Sequence, residues 1–333
     1  NKEKIANTLL KMFSLENKVI LATGAAGAIG SEIAKCYADL GAKVVIADFN
    51  ENAMAEVAKE IAENGGECTC MKLELPKEES INKVVDDTIA KYGRIDVLAN
   101  IAGINKRTLM TNGSEETFDR IIGVNLKGAY LISIKVAKEM IKLNETLPEE
   151  EKVHLSIMNV ASYNSVMMLG GNSVYGMSKS GVAAMTRSQA IEWAKYGFRS
   201  NALTPGHIST KLTSQLWDDP YFSKYMLDRI AMARPGYPED MLGMAVLLAS
   251  DASAYMSGQL CIVDGGCLAG IFGFVNVCQF WPCPAFLVGC EPPAHVETVL
   301  QAYGVFQHGQ SPAVGIFAMQ HDVPEGDHAL GKV

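Results

Sequence analysis

The sequence has no basic surplus: 29 lysines and arginines stand against 37 aspartates and glutamates, a formal net charge of −8 over 333 residues. A phosphate backbone needs a positively charged footprint, so nucleic acid is excluded as a partner. The N-terminus, Asn1-Lys2-Glu3-Lys4, is charged and leads into a short amphipathic stretch, so it lacks the apolar core of a secretory leader. Arginine disappears after residue 270, and residues 271–290 carry no charge. Gly273, Pro282, Pro284, Asn276 and Gln279 make that stretch a poor membrane helix, so no membrane partner is expected. The same C-terminal region holds Cys278, Cys283, Cys290, His295, His308, His321 and His328, but in no recognised metal-ligand spacing, and no metal is expected. Of the eight cysteines, Cys36, Cys68, Cys70, Cys261 and Cys267 lie in or beside apolar segments, which reads as buried or free thiols. A reducing compartment follows, with the cytoplasm as the default.

What is present is a hydrophobic content of 48%, enough for a large buried core. Runs rich in β-branched residues at Val19–Thr23, Lys43–Asp48, Glu67–Leu73, Ile95–Asn100, Val153–Val160, Phe198–Leu203 and Gln259–Val263 read as strands, with helix-period segments between them. Continuous apolar runs such as Val44–Ala47 are those of strands covered on both faces, so the expected fold is α/β, a doubly wound parallel seven-stranded sheet of Rossmann type. The charged, proline-bearing segment Leu143–Lys152 reads as an exposed loop before the fifth strand. Residues 1–13 form a lead segment, 14–270 the dinucleotide-binding domain, and 271–333 a C-terminal extension of loose or interface-packing character.

Three glycines in Thr23-Gly24-Ala25-Ala26-Gly27-Ala28-Ile29-Gly30 stand where a first strand turns into a helix, the place where backbone must approach a pyrophosphate. Any tight turn can use glycine, so context matters. The second strand ends at Asp48, whose carboxylate can accept both hydroxyls of an adenosine ribose and would repel a 2′-phosphate. Neither Ala26 nor Phe49 supplies a compensating guanidinium, so NAD is favoured over NADP. The competing role for Asp48 is a cap on the helix that starts at Glu51.

Tyr175 and Lys179 lie four apart in a helical stretch and share one face. A phenol with an ordinary pKa of about 10 is a poor base at neutral pH, and a neighbouring ammonium would favour its phenolate. Such a pair alone is more often a surface contact than a site. Ser162, just past the strand Ser156–Val160, would sit where ligands meet open α/β sheets, or serve as a turn serine. Asn125 lies inside an otherwise apolar helical segment, where it needs a partner; holding a water would give it one.

Over residues 14–270 this ordered series resembles the classical short-chain dehydrogenases/reductases. The resemblance implies Asn125, Ser162, Tyr175 and Lys179 as a catalytic tetrad. It also implies a cofactor site of Thr23, Gly24, Gly27, Ile29, Gly30, Asp48, Glu74, Asn100, Ala102, Gly103, Tyr175 and Lys179, closed by Pro205, Gly206, Ile208 and Thr210 at the nicotinamide. Ile101, Glu74 and Ala161 depart from the residues usual at their positions. A homotetramer is implied too, through the helices around Asn125–Lys142 and Val174–Tyr196. The segment Thr210–Met232, with Leu212, Leu216, Trp217, Tyr221, Phe222 and Tyr225, would form a partly apolar substrate lid. Arg229-Ile230, Arg234–Asp240 and Gly103–Thr108 resemble the gluconate 5-dehydrogenase and 2-deoxygluconate 3-dehydrogenase branch. Lys106 and Arg107 would then attract a sugar-acid carboxylate, with Ser162 and His207 also facing the substrate; solvated surface charge is the plainer reading of the two cations. A small-molecule sugar acid or polyol is therefore the expected substrate. The alternatives are a 3-oxoacyl-thioester reductase, whose usual NADPH preference conflicts with Asp48, and a dinucleotide-binding sensor or scaffold without turnover.

Overall fold

All seven expected strands are present and pair in parallel. The computed structural model describes residues 2–210 and 217–270. Among these, β1 (Val19–Thr23), β2 (Lys43–Asp48), β3 (Glu67–Lys72), β4 (Val97–Asn100), β5 (Ser156–Val160), β6 (Arg199–Pro205) and β7 (Leu260–Val263) make one sheet in the order β3-β2-β1-β4-β5-β6-β7. The order reverses between β1 and β4, so the two central strands leave a crevice at their carboxyl ends.

Alternation along the strands sends side chains to opposite layers. On one face Ile20, Ala22, Val44 and Ile46 pack against α2 (Ala28–Asp39), α3 (Glu51–Glu63) and α9 (Leu242–Ala249) through Ile33, Tyr37, Val57, Ile61 and Leu248. On the other, Leu21, Val45 and Leu98 pack against α4 (Glu78–Tyr92) and α6 (Ala129–Asn144) through Ile81, Val84, Ile132 and Val136. Every residue of β1, β4 and β5 is buried. The edge strand β3 alternates between partial and full exposure and carries Glu67 and Lys72, charges that blunt an open edge.

The remaining described α-helices are α1 (Lys2–Phe13), α5 (Glu115–Ile122), α7 (Ser173–Trp193) and α8 (Pro220–Leu227). The segment expected as a loop from Leu143 instead begins inside α6, which continues to Asn144, and contains a 3-10 turn at Glu149–Glu151. Asn144 then closes the connection by exchanging two hydrogen bonds with the backbone of Val153, at 2.9 and 2.8 Å. Cys36 and Cys68 are half-buried and Cys261 and Cys267 buried, all as free thiols, whereas Cys70 is exposed because it lies on the edge strand. Among the described residues no helix is long and apolar enough to cross a membrane. The expectations for Leu212 and Leu216, and for the 271–333 extension, fall outside the described residues.

Candidate active site at the carboxyl ends of the central strands

At the end of β1 the chain must turn into α2 in four residues, and Gly24 does so at a φ of +68°. A Cβ there would lie 2.5 Å from Ala102 Cα, and one on Gly30 would lie 2.2 Å from Gly24 O. The glycines are therefore required by contact with the backbone as well as by dihedral freedom. Gly27 caps α2 without a side chain, and the first turn of the helix carries no acid. Its N–H groups are left bare at the positive end of the helix dipole, a cradle suited to a pyrophosphate. Thr23 is buried beside it, its hydroxyl accepting from Ala102 N at 3.4 Å. Ile29 packs partly buried against the apolar layer below.

Asp48 closes this loop. Its carboxylate accepts Ala26 N at 3.2 Å and Asn50 N at 3.0 Å, tying the glycine turn to the end of β2. The cap on α3 is Asn50, which accepts Ala53 N at 3.1 Å, so Asp48 is not that helix's cap. Glu74 turns its carboxylate to Lys77 and, at 3.8 Å, to Lys72.

The four candidate catalytic residues come from three separate elements. Asn125 lies in a π-helical turn, Gly123–Gly128, between α5 and α6. Such turns recur at functional sites because they re-aim one side chain. Its carboxamide accepts Ile104 N at 2.8 Å and donates to Ile104 O at 2.9 Å and to Ser178 Oγ at 3.0 Å, which supplies the partner a buried asparagine requires. Ser162, at the mouth of β5, accepts Asn164 N at 3.2 Å. Lys179 is 3% exposed; its Nζ donates to Val160 O at 2.6 Å and lies 5.8 Å from the centre of the Tyr175 ring. A Cβ on Gly103 would come within 3.3 Å of that Nζ and 3.6 Å of Asn125 Oδ1, so the turn after β4 passes close against both side chains.

Burial sets the ionisation of the pair. It lowers Lys179 to about 8 and raises the Tyr175 phenol, against which a hydrogen bond from Ser162 pulls. The expected depression of Tyr175 by the lysine cation is therefore not seen: burial raises the phenol, and what opposes it is the Ser162 hydrogen bond rather than the Lys179 charge.

Behind the site lies a buried polar chain. Asn100 Nδ2 donates to Ser133 Oγ and Asn159 Oδ1, both at 2.9 Å, and Asn159 Nδ2 reaches Thr186, Gln189 and Ser200. It links β4 and β5 to α6 and α7. Ile101, 9% exposed, packs in the apolar layer, and the polar role belongs to Asn100 alone.

On the far side, β6 ends at Pro205, and Gly206 N donates to Val263 O at 3.0 Å. A Cβ on Gly206 would lie 2.6 Å from Asp264 Cβ. His207 O accepts Gly236 N at 2.9 Å and Ile208 bridges to Gly236, which clamps the turn leading to Thr210. The His207 ring sits 4.4 Å from that of Tyr163. Burial, with help from the Arg107 charge, lowers His207 to about 4, leaving a neutral imidazole. Arg107 and Lys106 are exposed on the loop after β4.

The chain matches the family profile described as Enoyl-(Acyl carrier protein) reductase over residues 24–267. It is 36% identical over 252 residues to the 3-oxoacyl-acyl-carrier-protein reductase FabG of Thermotoga maritima, covering 76% of this chain and 98% of that one. The chain belongs to the short-chain dehydrogenase/reductase family. This dehydrogenase/reductase is also 35% identical over 263 residues to the 2-dehydro-3-deoxy-D-gluconate 5-dehydrogenase of Escherichia coli K12, covering 78% of this chain and 99% of that one. The crystal structure of a gluconate 5-dehydrogenase from Burkholderia cenocepacia, in complex with NADP and tartrate, superposes with a TM-score of 0.73 at 30% identity, covering 79% of this chain and all of that one. The protein is thus an oxidoreductase acting on an alcohol or ketone carbon.

Several residues of the site are not singled out by the sequence reading. Ser178 is one of two partners of Asn125, and its only signal is its place between Tyr175 and Lys179. Asn159 is detectable as an amide between Met158 and Val160 in a strand that is buried throughout. Tyr163, 4% exposed, follows Ser162 directly.

Proposed function

We propose that this oxidoreductase uses NAD(H) to interconvert a secondary alcohol and a ketone on a sugar acid or polyol. The observation that carries the reading is the convergence of Tyr175, Lys179, Asn125 and Gly103 beside a glycine turn held shut by Asp48. In it the bare helix start would hold the pyrophosphate and Asp48 the adenosine ribose, with Thr23, Gly24, Gly27, Ile29, Gly30, Asn100, Ala102 and Gly103 lining the dinucleotide. Glu74 would reach the adenine only by leaving Lys77. The turn from Pro205 and Gly206 through Ile208 and Thr210 would hold the carboxamide.

A bound nicotinamide supplies the hydride acceptor in oxidation and the donor in reduction. Tyr175 exchanges the proton: its phenolate takes it from the substrate hydroxyl, and its phenol returns it to the carbonyl oxygen. Ser162 hydrogen-bonds the same oxygen. Neither charge is well solvated in this pocket, so ammonium and phenolate favour one another when both form, and Lys179, held by Val160 O, is placed to support that state. Arg107 supplies positive charge for a substrate carboxylate, with Lys106 beside it, and His207 faces the substrate as a neutral group. The exposed Tyr130 on α6 and Ile191 on α7, at 51% and 80%, suit subunit contacts in a homotetramer. We assign the catalytic domain to residues 14–270, with 271–333 as an addition to it.

The identity to 3-oxoacyl-acyl-carrier-protein reductases favours a second reading, reduction of a 3-oxoacyl thioester, and the NADP-bound relative makes the cofactor the deciding measurement. Paired titrations with NADH and NADPH, followed by turnover of D-gluconate and 5-keto-D-gluconate, separate them. Tighter NADH binding and turnover of the sugar acid, lost in Tyr175→Phe, support the first. NADPH preference with turnover of an acetoacetyl thioester supports the second.

A further inference from the structure

The Tyr163 hydroxyl is a buried polar group that the mechanism above does not use. The residue is 4% exposed, yet its oxygen has no hydrogen-bond partner among the described residues. A phenol buried without a partner has lost its hydration with nothing in return, so such a group in a folded protein calls for a reason. Three other buried polar atoms share this state, but Asn100 Oδ1 and Gln189 Nε2 belong to the polar chain that joins β4 and β5 to α6 and α7, and Asn164 lies one residue further from Ser162, to which its backbone N–H is already bound. Tyr163 differs in its surroundings. It follows Ser162 in the chain and packs against His207 in a tilted contact, with ring centres 4.4 Å apart and planes at 52°.

His207 is equally constrained. Its backbone is clamped by Gly236, its ring lies against Tyr163, and it stays neutral, so that one ring nitrogen can donate and the other accept. A neutral imidazole and a neutral phenol side by side are each donor and acceptor at once. That is the chemistry that recognises a hydroxyl, while Arg107 supplies the charge that suits a carboxylate.

We propose that Tyr163, supported by the adjacent His207 ring, is a specificity-determining residue that hydrogen-bonds a substrate hydroxyl flanking the reacting carbon. The inference rests on the sugar-acid reading and adds to it which group reads the hydroxyl. It also gives a physical ground for discrimination: a substrate without that hydroxyl leaves the phenol oxygen buried and unpaired, a penalty that a fitted hydrogen bond removes.

The test is a panel of D-gluconate and its 3-deoxy, 4-deoxy and 6-deoxy forms, assayed with the unaltered enzyme, Tyr163→Phe and His207→Gln. Tyr163→Phe removes one unpartnered oxygen and keeps the ring, so the fold is retained, which thermal unfolding checks. The expected result is that the unaltered enzyme prefers gluconate over one deoxy form by about tenfold or more in kcat/KM, that Tyr163→Phe collapses this ratio toward one, and that His207→Gln reduces it. Gluconate turnover with no preference across the panel, or a preference that survives Tyr163→Phe, overturns the inference and leaves the sugar-acid reading standing. Absence of turnover on every sugar acid by the unaltered enzyme overturns both.

Discussion

Asn125 and Ile104 are joined at both ends of one carboxamide: Ile104 N donates to Asn125 Oδ1 at 2.8 Å, and Asn125 Nδ2 donates to Ile104 O at 2.9 Å. The side chain completes the backbone hydrogen bonding of the loop that follows β4 and fastens that loop to the π-helical turn. Asn125→Ala leaves both backbone groups of Ile104, and the Ser178 hydroxyl, short of a partner. The expected cost is roughly 2–4 kcal/mol in urea unfolding, with turnover lost, because Gly103 lies in that loop and Ser178, the other partner of Asn125, directly precedes Lys179. A variant as stable as the parent would show that the loop is held by other means.

Gly24→Ala meets two obstacles at once. The φ of +68° is unfavourable for alanine, and the new Cβ would overlap Ala102 Cα at 2.5 Å. The two together should cost about 2–5 kcal/mol, read as a lowered melting temperature, and should weaken dinucleotide binding measured by NADH fluorescence. Binding and melting both unchanged would mean that the turn can be rebuilt without glycine.

Lys179 gives a pH signature. Its pKa is about 8 in the folded protein and 10.5 when unfolded, so the unfolded chain binds more protons between these values. Its contribution to stability is fully present above pH 10.5 and is lost as pH falls through 8. Compared at a series of pH values, the unaltered protein should gain on Lys179→Met by roughly 3 kcal/mol across that window. A stability difference independent of pH would show that the ammonium is no worse solvated in the fold than in water.

Asp48 tests the cofactor. Asp48→Asn keeps an acceptor for one of the two N–H groups, from Ala26 or Asn50, that the carboxylate holds, and removes its charge. The ratio of NADPH to NADH dissociation constants should shift toward NADPH by about tenfold or more, since a carboxylate both accepts from the ribose hydroxyls and repels a 2′-phosphate. An unchanged ratio would locate cofactor choice elsewhere in the loop.

A chain ending at Gly270 should retain NADH binding and turnover. The family profile ends at residue 267, and the relatives described above use 98–100% of their own lengths within 76–79% of this chain. Loss of turnover in a truncated protein that still unfolds cooperatively would assign the extension a part in the site.

The seven parallel strands, the glycine turn and the shared face of Tyr175 and Lys179 were legible in the sequence, because each rests on local rules, whereas the tetrad as a set came from the family resemblance. Continuous apolar runs mark strands buried on both faces, a strand-to-helix turn against backbone demands glycine, and a spacing of four puts Tyr175 and Lys179 on one face. What reaches across the fold was not legible. That Asp48 ties Ala26 to Asn50, that Asn125 spends its amide on Ile104 and Ser178, and that Asn159 gathers Thr186, Gln189 and Ser200 depend on which elements the sheet brings side by side. The ionisation of the pair belongs there too. Sequence spacing suggests a cation lowering a phenol, whereas burial, a property of the packed layers alone, raises the phenol and lowers the amine. Local chemistry follows from neighbours in the chain; desolvation and partnering follow from neighbours in space, and only folding supplies those.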